Sequence, residues 1–119
     1  MVKYNPYKSC LFQKRGVHVR IIADPGMAYV EGSQISSLQA KNIPVLLGNT
    51  GMMMHNKFAL IDCLSENDNS IKNGLVITGS FNWTWSAVVK NFENVIITNE
   101  ENIVDSYVKE YNRLWCLFT

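Results

Sequence analysis

Short runs of β-branched and other apolar residues alternate along the chain with stretches of helical periodicity. Five runs have the length and composition of strands, and they cover residues 17–23, 43–47, 54–62, 75–80 and 93–98. The sequence DPG at residues 24–26 predicts a turn after the first strand, and Ser33 is placed to cap a short helix. The mostly polar residues 63–74 predict a long exposed loop. Strands that alternate with helices predict a domain of the α/β class.

The C-terminal residues predict a long amphipathic helix. Glu100 and Glu101 carry the negative charge that favours a helix N-terminus. The apolar residues that follow recur at helical spacing and should form one face that packs on the sheet: Ile103, Val104, Tyr107, Val108, Tyr111, Leu114, Trp115 and Phe118. At the other end, residues 9–16 resemble the tail of a helix, and no strand precedes them as a β-α-β crossover requires. We therefore expect a single domain over residues 1–119 that lacks its N-terminal strand and helix.

The composition narrows the class of protein. The chain has 119 residues, of which 47% are apolar, so one domain with a real core is expected. Its formal net charge of +1 provides no overall basic field, so any anionic ligand must be held locally. The three cysteines at positions 10, 63 and 116 are far apart, which disfavours a disulfide framework and a zinc knuckle. No apolar run predicts a membrane span, and no signal peptide is visible.

The sequence MHNKFALID at residues 54–62 carries a histidine and a lysine two places apart. Side chains alternate along a strand, so His55 and Lys57 are expected to share a face, while Asp62 belongs to the opposite one. Burying an ammonium group without an anionic partner is costly, so the pair should line a cleft that receives negative charge. An isolated pair of this kind more often lies on a solvated strand face, so this spacing alone does not establish a site.

A second polar group follows the next predicted strand. In TGSFNWT at residues 78–84, Ser80 and Asn82 again lie two apart, directly after Gly79. A hairpin between the two strands would bring Asn82 close to the histidine and the lysine. A nucleophile or base, a fixed cation and an amide donor would then surround a phosphate-sized space. Ser80 and Asn82 could instead satisfy the backbone groups of the turn.

These residues together form a known pattern. The following positions match H-x-K-x4-D and the subsequent G-S-x-N: His55, Lys57, Asp62, Gly79, Ser80 and Asn82. On this motif the chain resembles the phospholipase D superfamily. Residues 23–47, 54–63 and 75–99 are similar to its mitochondrial cardiolipin hydrolase (Zucchini) subgroup, in which the glutamate of an N-x-E-N segment supports the catalytic histidine. Glu93 in NFEN matches that glutamate.

The resemblance implies a phospholipase D-like fold, a mixed β-sheet flanked by helices that forms half of a two-fold dimer. It implies catalytic roles for His55, Lys57, Asn82 and Glu93, and supporting roles for Asp62, Ser80 and Gly79. His55 of one subunit would form a phosphohistidine, while the same histidine of the second subunit protonates the leaving oxygen. Because one chain supplies one histidine, a homodimer is implied. No metal or other cofactor is implied.

The resemblance also implies a phosphodiester substrate. This is either cardiolipin, hydrolysed to phosphatidic acid, or single-stranded RNA, cleaved in piRNA biogenesis, and the motif residues touch only the phosphate. Trp83 and Trp85 could contact a base or an acyl chain, or pack in the core. The implied location is the cytosolic face of the mitochondrial outer membrane, with membrane contact through the missing N-terminal region. Since that region is absent here, a noncatalytic scaffold or inactive fragment stays the alternative.

Overall fold

A computed structural model describes residues 15–48, 51–63 and 74–119. Within these ranges the elements in chain order are β1 (Ile21–Ala23), α1 (Ile35–Gln39), β2 (Val45–Leu47), β3 (Phe58–Ile61), β4 (Leu75–Gly79), α2 (Trp85–Lys90), β5 (Val95–Thr98) and α3 (Glu101–Phe118). Strands β1 and β2 pair in parallel, and β3, β4 and β5 form an antiparallel sheet in that order. The predicted α/β class is confirmed. Most of the predicted 63–74 loop and of the predicted helix tail at 9–16 lies outside the described residues.

The chain divides into two compact units, and the first consists of residues 1–55 with 115–119. It holds the parallel strands, in which Ile21 pairs with Val45. The predicted turn after β1 is confirmed, because the amide of Met27 donates to the carbonyl of Asp24 at 3.2 Å. The prediction that Ser33 caps α1 is wrong: the N-cap is Gln34, without a side-chain cap, and Ser33 one residue earlier accepts the amide of Ile35 at 3.3 Å. Leu38 and Ile43 are buried in this unit.

The second unit, residues 56–114, places the first turns of α3 against the antiparallel sheet. Its buried core consists of Cys63, Val76, Val104 and Val108. The ring of Tyr107 packs edge-on against Phe58 at 4.9 Å between centroids, and its hydroxyl lies 3.0 Å from the hydroxyl of Thr78. The predicted packing of this helix on the sheet is therefore confirmed.

The exposure of Ile103 and the start of the third strand both differ from the prediction. Ile103 is 43% exposed, because Val104 and Val108, one turn apart, face the sheet and turn their neighbour away by about 100°. Strand β3 begins at Phe58 rather than at residue 54. The amide of Met54 donates to the Asp24 carboxylate at 2.9 Å instead of joining a strand ladder.

Within the described ranges no helix, α3 included, is long and apolar enough to cross a membrane.

Candidate active site

Strands β4 and β5 leave no room for a side chain where they meet at Gly79. This residue pairs with Val95 and has a φ of +156°. A Cβ atom at this position would lie 2.1 Å from the carbonyl oxygen of Asn94, so only glycine permits the approach. The contact continues through Ser80, whose amide donates to the Asn94 carbonyl at 3.1 Å and whose hydroxyl accepts the Asn94 amide at 3.1 Å. The strand ends are therefore held together by backbone and side chain alike.

The carboxylate of Glu93 is held at both oxygens beside this strand junction. The Ser80 hydroxyl donates to Oε2, and the side-chain amide of Asn91 donates to Oε1 at 2.8 Å. We call these three side chains, with the backbone of Asn94, the Glu93 clamp. The hydrogen bond from Ser80, followed by that from Asn91, lowers the pKa of Glu93 below its ordinary value, and the charge of Lys57 acts in the same direction. Glu93 is thus an anion at neutral pH, within electrostatic reach of Lys57.

A pocket of about 250 Å³ lies beside the strand junction. It is lined by Lys57, Ile77, Thr78, Gly79, Phe81, Trp83 and Val95. Lys57 is the charged residue of this lining. The Thr78 hydroxyl lies within hydrogen-bond distance of the Tyr107 hydroxyl. Trp83 stands edge-on to Phe81, with 6.4 Å between ring centroids, and is 52% exposed, so the alternative that it packs in the core is wrong. The wall of the pocket is therefore almost entirely apolar, and Lys57 is the charged residue among those that line it.

The structure brings part of the predicted site together. Lys57, Ser80 and Glu93 lie at one end of the antiparallel sheet, within the second unit. Asn82 is exposed in the turn before α2, where its carbonyl accepts the amide of Thr84 at 2.7 Å. His55 is exposed and belongs to the first unit, on the segment that precedes β3. Its convergence with Lys57 and Asn82 stays a prediction.

Asp62, the last residue of the H-x-K-x4-D pattern, directly follows β3 in an exposed position. Its φ of +54° is the left-handed conformation found in turns. The expected supporting role of Asp62 is compatible with this position and stays a prediction.

Two residues of interest were missed by the sequence analysis. Asn91 belongs to the NFEN segment, but only its contact with Glu93 indicates a role. Asp24 belongs to the predicted turn, and its carboxylate accepts the amide of Met27 at 3.1 Å and that of Met54 at 2.9 Å. The second bond fixes the residue that directly precedes His55. A sequence offers no signal for it, because any residue can present a backbone amide to a carboxylate 30 positions away.

The thiols and acidic groups form no further centre in the described part of the chain. Cys63 is a buried free thiol whose pKa is raised by burial, and Cys116 is an exposed one. No group of three histidine, cysteine, aspartate or glutamate side chains is arranged to hold a metal ion among the residues that the structure describes.

Comparison with known proteins identifies the family of this chain. The family described as "Cardiolipin synthase, PLD-like domain" matches residues 10–115. The chain belongs to this phospholipase D-like family. It is similar to proteins named mitochondrial cardiolipin hydrolase, with 38% identity over 105 residues in Xenopus tropicalis, 36% over 105 in Homo sapiens and 36% over 104 in Chlamydomonas reinhardtii. The predicted family is therefore confirmed.

These relatives are longer than the chain. The matches cover 88%, 88% and 87% of this chain, but 45%, 38% and 42% of the frog, human and algal proteins. The chain thus spans less than half the length of the named relatives that it matches.

Proposed function

We propose that this chain carries the reaction centre of a metal-independent phosphodiesterase of the phospholipase D type. One observation carries the proposal: Lys57 lines a pocket at the strand end where Ser80 and Asn91 hold the Glu93 carboxylate. An ammonium group at an apolar pocket is suited to an anionic ligand with an apolar body. Membership of the phospholipase D-like family supports phosphodiester cleavage as the reaction.

The first chemical step is a displacement at phosphorus. A ring nitrogen of His55 forms a bond to phosphorus, and the bond from phosphorus to the leaving oxygen breaks. The leaving oxygen takes a proton from His55 of the partner subunit, so the proposal requires a homodimer. Lys57 and Asn82 hold the nonbridging oxygens, where negative charge develops. The product of this step is a phosphohistidine together with a free alcohol.

The second step returns the enzyme to its starting state. Water attacks phosphorus while His55 of the partner subunit accepts a proton from it, and the nitrogen–phosphorus bond breaks. Both histidines then have their original protonation states, and the second product leaves as a phosphomonoester. Subunits that bind tightly enough to stay paired should sediment as a dimer. If they dissociate on dilution, turnover per chain should fall with dilution.

A phospholipid is the substrate that the pocket favours. Its wall is formed by apolar side chains that include Ile77, Phe81 and Val95, and Lys57 is the charged residue among those that line it. Aliphatic groups next to a phosphate fit such a wall, whereas sequence-specific base recognition relies on hydrogen bonds to base edges. The named relatives are called cardiolipin hydrolases. We therefore place cardiolipin, hydrolysed to phosphatidic acid, first.

Single-stranded RNA is the second candidate, as expected for an endonuclease of piRNA biogenesis. The observation in its favour is the half-exposed indole of Trp83 beside Phe81, since exposed aromatic rings can stack on bases without reading their sequence. Lys57 would then contact the RNA backbone.

The two histidines of the chain provide a matched test. Wild type, His55→Asn and His18→Asn should be offered cardiolipin liposomes and single-stranded RNA in the presence of a chelator. We expect wild type and His18→Asn to cleave the lipid and His55→Asn to lose at least about 1000-fold in turnover, as expected for loss of a nucleophile. Cleavage of RNA alone would select the second candidate. Turnover of neither substrate would select a noncatalytic scaffold or inactive fragment.

The location of the protein follows from the same likeness. We place the full-length protein at mitochondria, on the cytosolic face of the outer membrane, because the named relatives are called mitochondrial and a lipid substrate requires a membrane surface. Protease treatment of intact mitochondria should digest a tag placed after Thr119. A protected tag would contradict this orientation.

A further inference from the structure

The Glu93 clamp contains one residue for which the proposed reaction has so far no role. Asn91 follows α2 with extended backbone angles, φ −104° and ψ 151°, and its side-chain amide donates to Oε1 of Glu93 at 2.8 Å. Ser80 donates to the other oxygen, Oε2. Each carboxylate oxygen therefore receives its own donor, one from the end of α2 and one from the end of β4.

Two donors constrain a carboxylate more than one does. With Ser80 alone, the glutamate side chain could rotate while keeping a single hydrogen bond, and its second oxygen would point in any direction that solvent allows. The Asn91 amide removes this freedom. Ser80 is itself fixed, because its hydroxyl accepts the Asn94 amide at 3.1 Å while donating to Glu93. The chain of donors and acceptors is continuous, and such chains strengthen their individual bonds.

The orientation of this carboxylate matters because Lys57 is the charged side chain that acts on it. We propose that Asn91 is a positioning residue of the phosphodiesterase, which with Ser80 holds the Glu93 carboxylate in one orientation near Lys57. This inference rests on the proposed function. Asn91 touches neither the substrate nor the reacting atoms, and it acts through Glu93 alone. A residue that orients a charged group in this way changes turnover more than substrate binding.

The test compares Asn91→Ala and Asn91→Asp with wild type in the 119-residue chain. Asn102→Ala is the matched control, because the Asn102 amide donates to a carboxylate oxygen of Glu100 at 3.4 Å, away from the clamp. The pKa of Glu93 should be measured by carbon-detected NMR titration. Turnover of bis(4-nitrophenyl) phosphate and of cardiolipin should be measured against pH.

We expect Asn91→Ala to raise the pKa of Glu93, to move the acidic limb of the kcat profile to higher pH and to lower kcat about tenfold, with KM changed less than about twofold. Asn91→Asp should raise that pKa further, because it replaces a donor by a second negative charge. Asn102→Ala should leave the Glu93 pKa, the kcat profile, kcat and KM unchanged. An unchanged Glu93 pKa or an unchanged kcat profile in both Asn91 variants, each folded as judged by thermal unfolding, would overturn the inference. Absence of turnover in wild type would instead refute the proposed function. The NMR titration alone would then show whether Asn91 holds the Glu93 carboxylate.

Discussion

His55 and Glu93 are carried by two different kinds of backbone. His55 lies on an exposed segment outside the strands, and the amide of its neighbour Met54 donates a hydrogen bond to the Asp24 carboxylate. Glu93 lies two residues before β5 and is tied to the end of β4 through Ser80 and to the end of α2 through Asn91. A group held by strand pairing is preorganised by the fold itself. A group on a loop can be displaced while the rest of its unit stays folded.

This difference has a consequence for the proposed chemistry. A nucleophile that forms and breaks a bond to phosphorus must move during the reaction, and a loop permits that movement. A group that stabilises developing charge works best when it is fixed before the reaction begins. The chain therefore places its proposed nucleophile on irregular backbone. At a strand junction it fixes the Glu93 carboxylate, which interacts with Lys57, a residue proposed to hold the oxygens where negative charge develops.

Substitution of Gly79 should disrupt the strand junction more than any other change considered. In Gly79→Ala the new methyl group would lie 2.1 Å from the Asn94 carbonyl oxygen, so β4 and β5 would have to separate. We expect the free energy of unfolding to fall by about 3 kcal/mol or more. Gly32→Ala is the control, because Gly32 has a φ of +84° but no atom within 4 Å of an added Cβ, so it should cost only about 1 kcal/mol. Urea unfolding measures both, and equal losses would contradict the close approach.

The loop should be released by Asp24→Ala. This change removes the carboxylate that accepts the amide of Met54, so the segment before His55 loses this anchor, while the amide of Met27 keeps the carbonyl of residue 24 as acceptor. We expect kcat to fall about tenfold while the free energy of unfolding falls by only about 1 kcal/mol. Glu31→Ala, at an exposed carboxylate of the same unit, should change neither. Proportional losses of stability and turnover would mean that Asp24 supports the whole unit rather than the loop.

The clamp should also respond to pH. The pKa of Glu93 is lowered in the folded chain, first by the Ser80 hydrogen bond. A lowered pKa stabilises the fold at pH values above the unfolded pKa, and this contribution is lost as pH falls through the folded pKa. Ser80→Ala should therefore be most destabilising at neutral pH, with a smaller remainder in acid from the lost bond to the Asn94 amide. Chemical unfolding of wild type and Ser80→Ala, from neutral pH down into acid, measures how the loss of stability depends on pH.

Ser106→Ala provides the reference for that trend. Its hydroxyl donates to the carbonyl of Asn102 at 2.8 Å, so no carboxylate is involved and its effect should be independent of pH. A constant effect of Ser80→Ala across the same range would contradict the role of Glu93 as an anion.

The sequence predicted the order of strands and helices better than their ends. All five predicted strands occur, but β1 begins at Ile21 rather than at residue 17, and β5 at Val95 rather than at residue 93. An apolar run shows which segment prefers a pleated conformation, whereas a strand ends where its partner stops supplying hydrogen bonds. That limit depends on residues far away in the chain.

The site followed the same rule. The combined motif, rather than either spacing by itself, singled out His55, Lys57, Ser80 and Asn82 as candidates, because the proposed chemistry depends on their side-chain types. Asp24 and Asn91 act by holding other groups in place, through a backbone amide in one case and a carboxylate in the other. Aspartate and asparagine are so common in turns that their presence there predicts nothing more.

Asp62 sharpens the distinction between chemical and conformational roles. It has a φ of +54°, a conformation that glycine adopts without cost and that aspartate tolerates better than most residues. If its role is conformational, Asp62→Gly should change the free energy of unfolding by less than about 0.5 kcal/mol and leave kcat within about twofold, whereas Asp62→Val should cost about 1–2 kcal/mol. Thermal unfolding and phosphodiester turnover measure the two effects. A large loss of turnover in a stable Asp62→Gly variant would show that the carboxylate itself takes part, and would move Asp62 into the reaction centre.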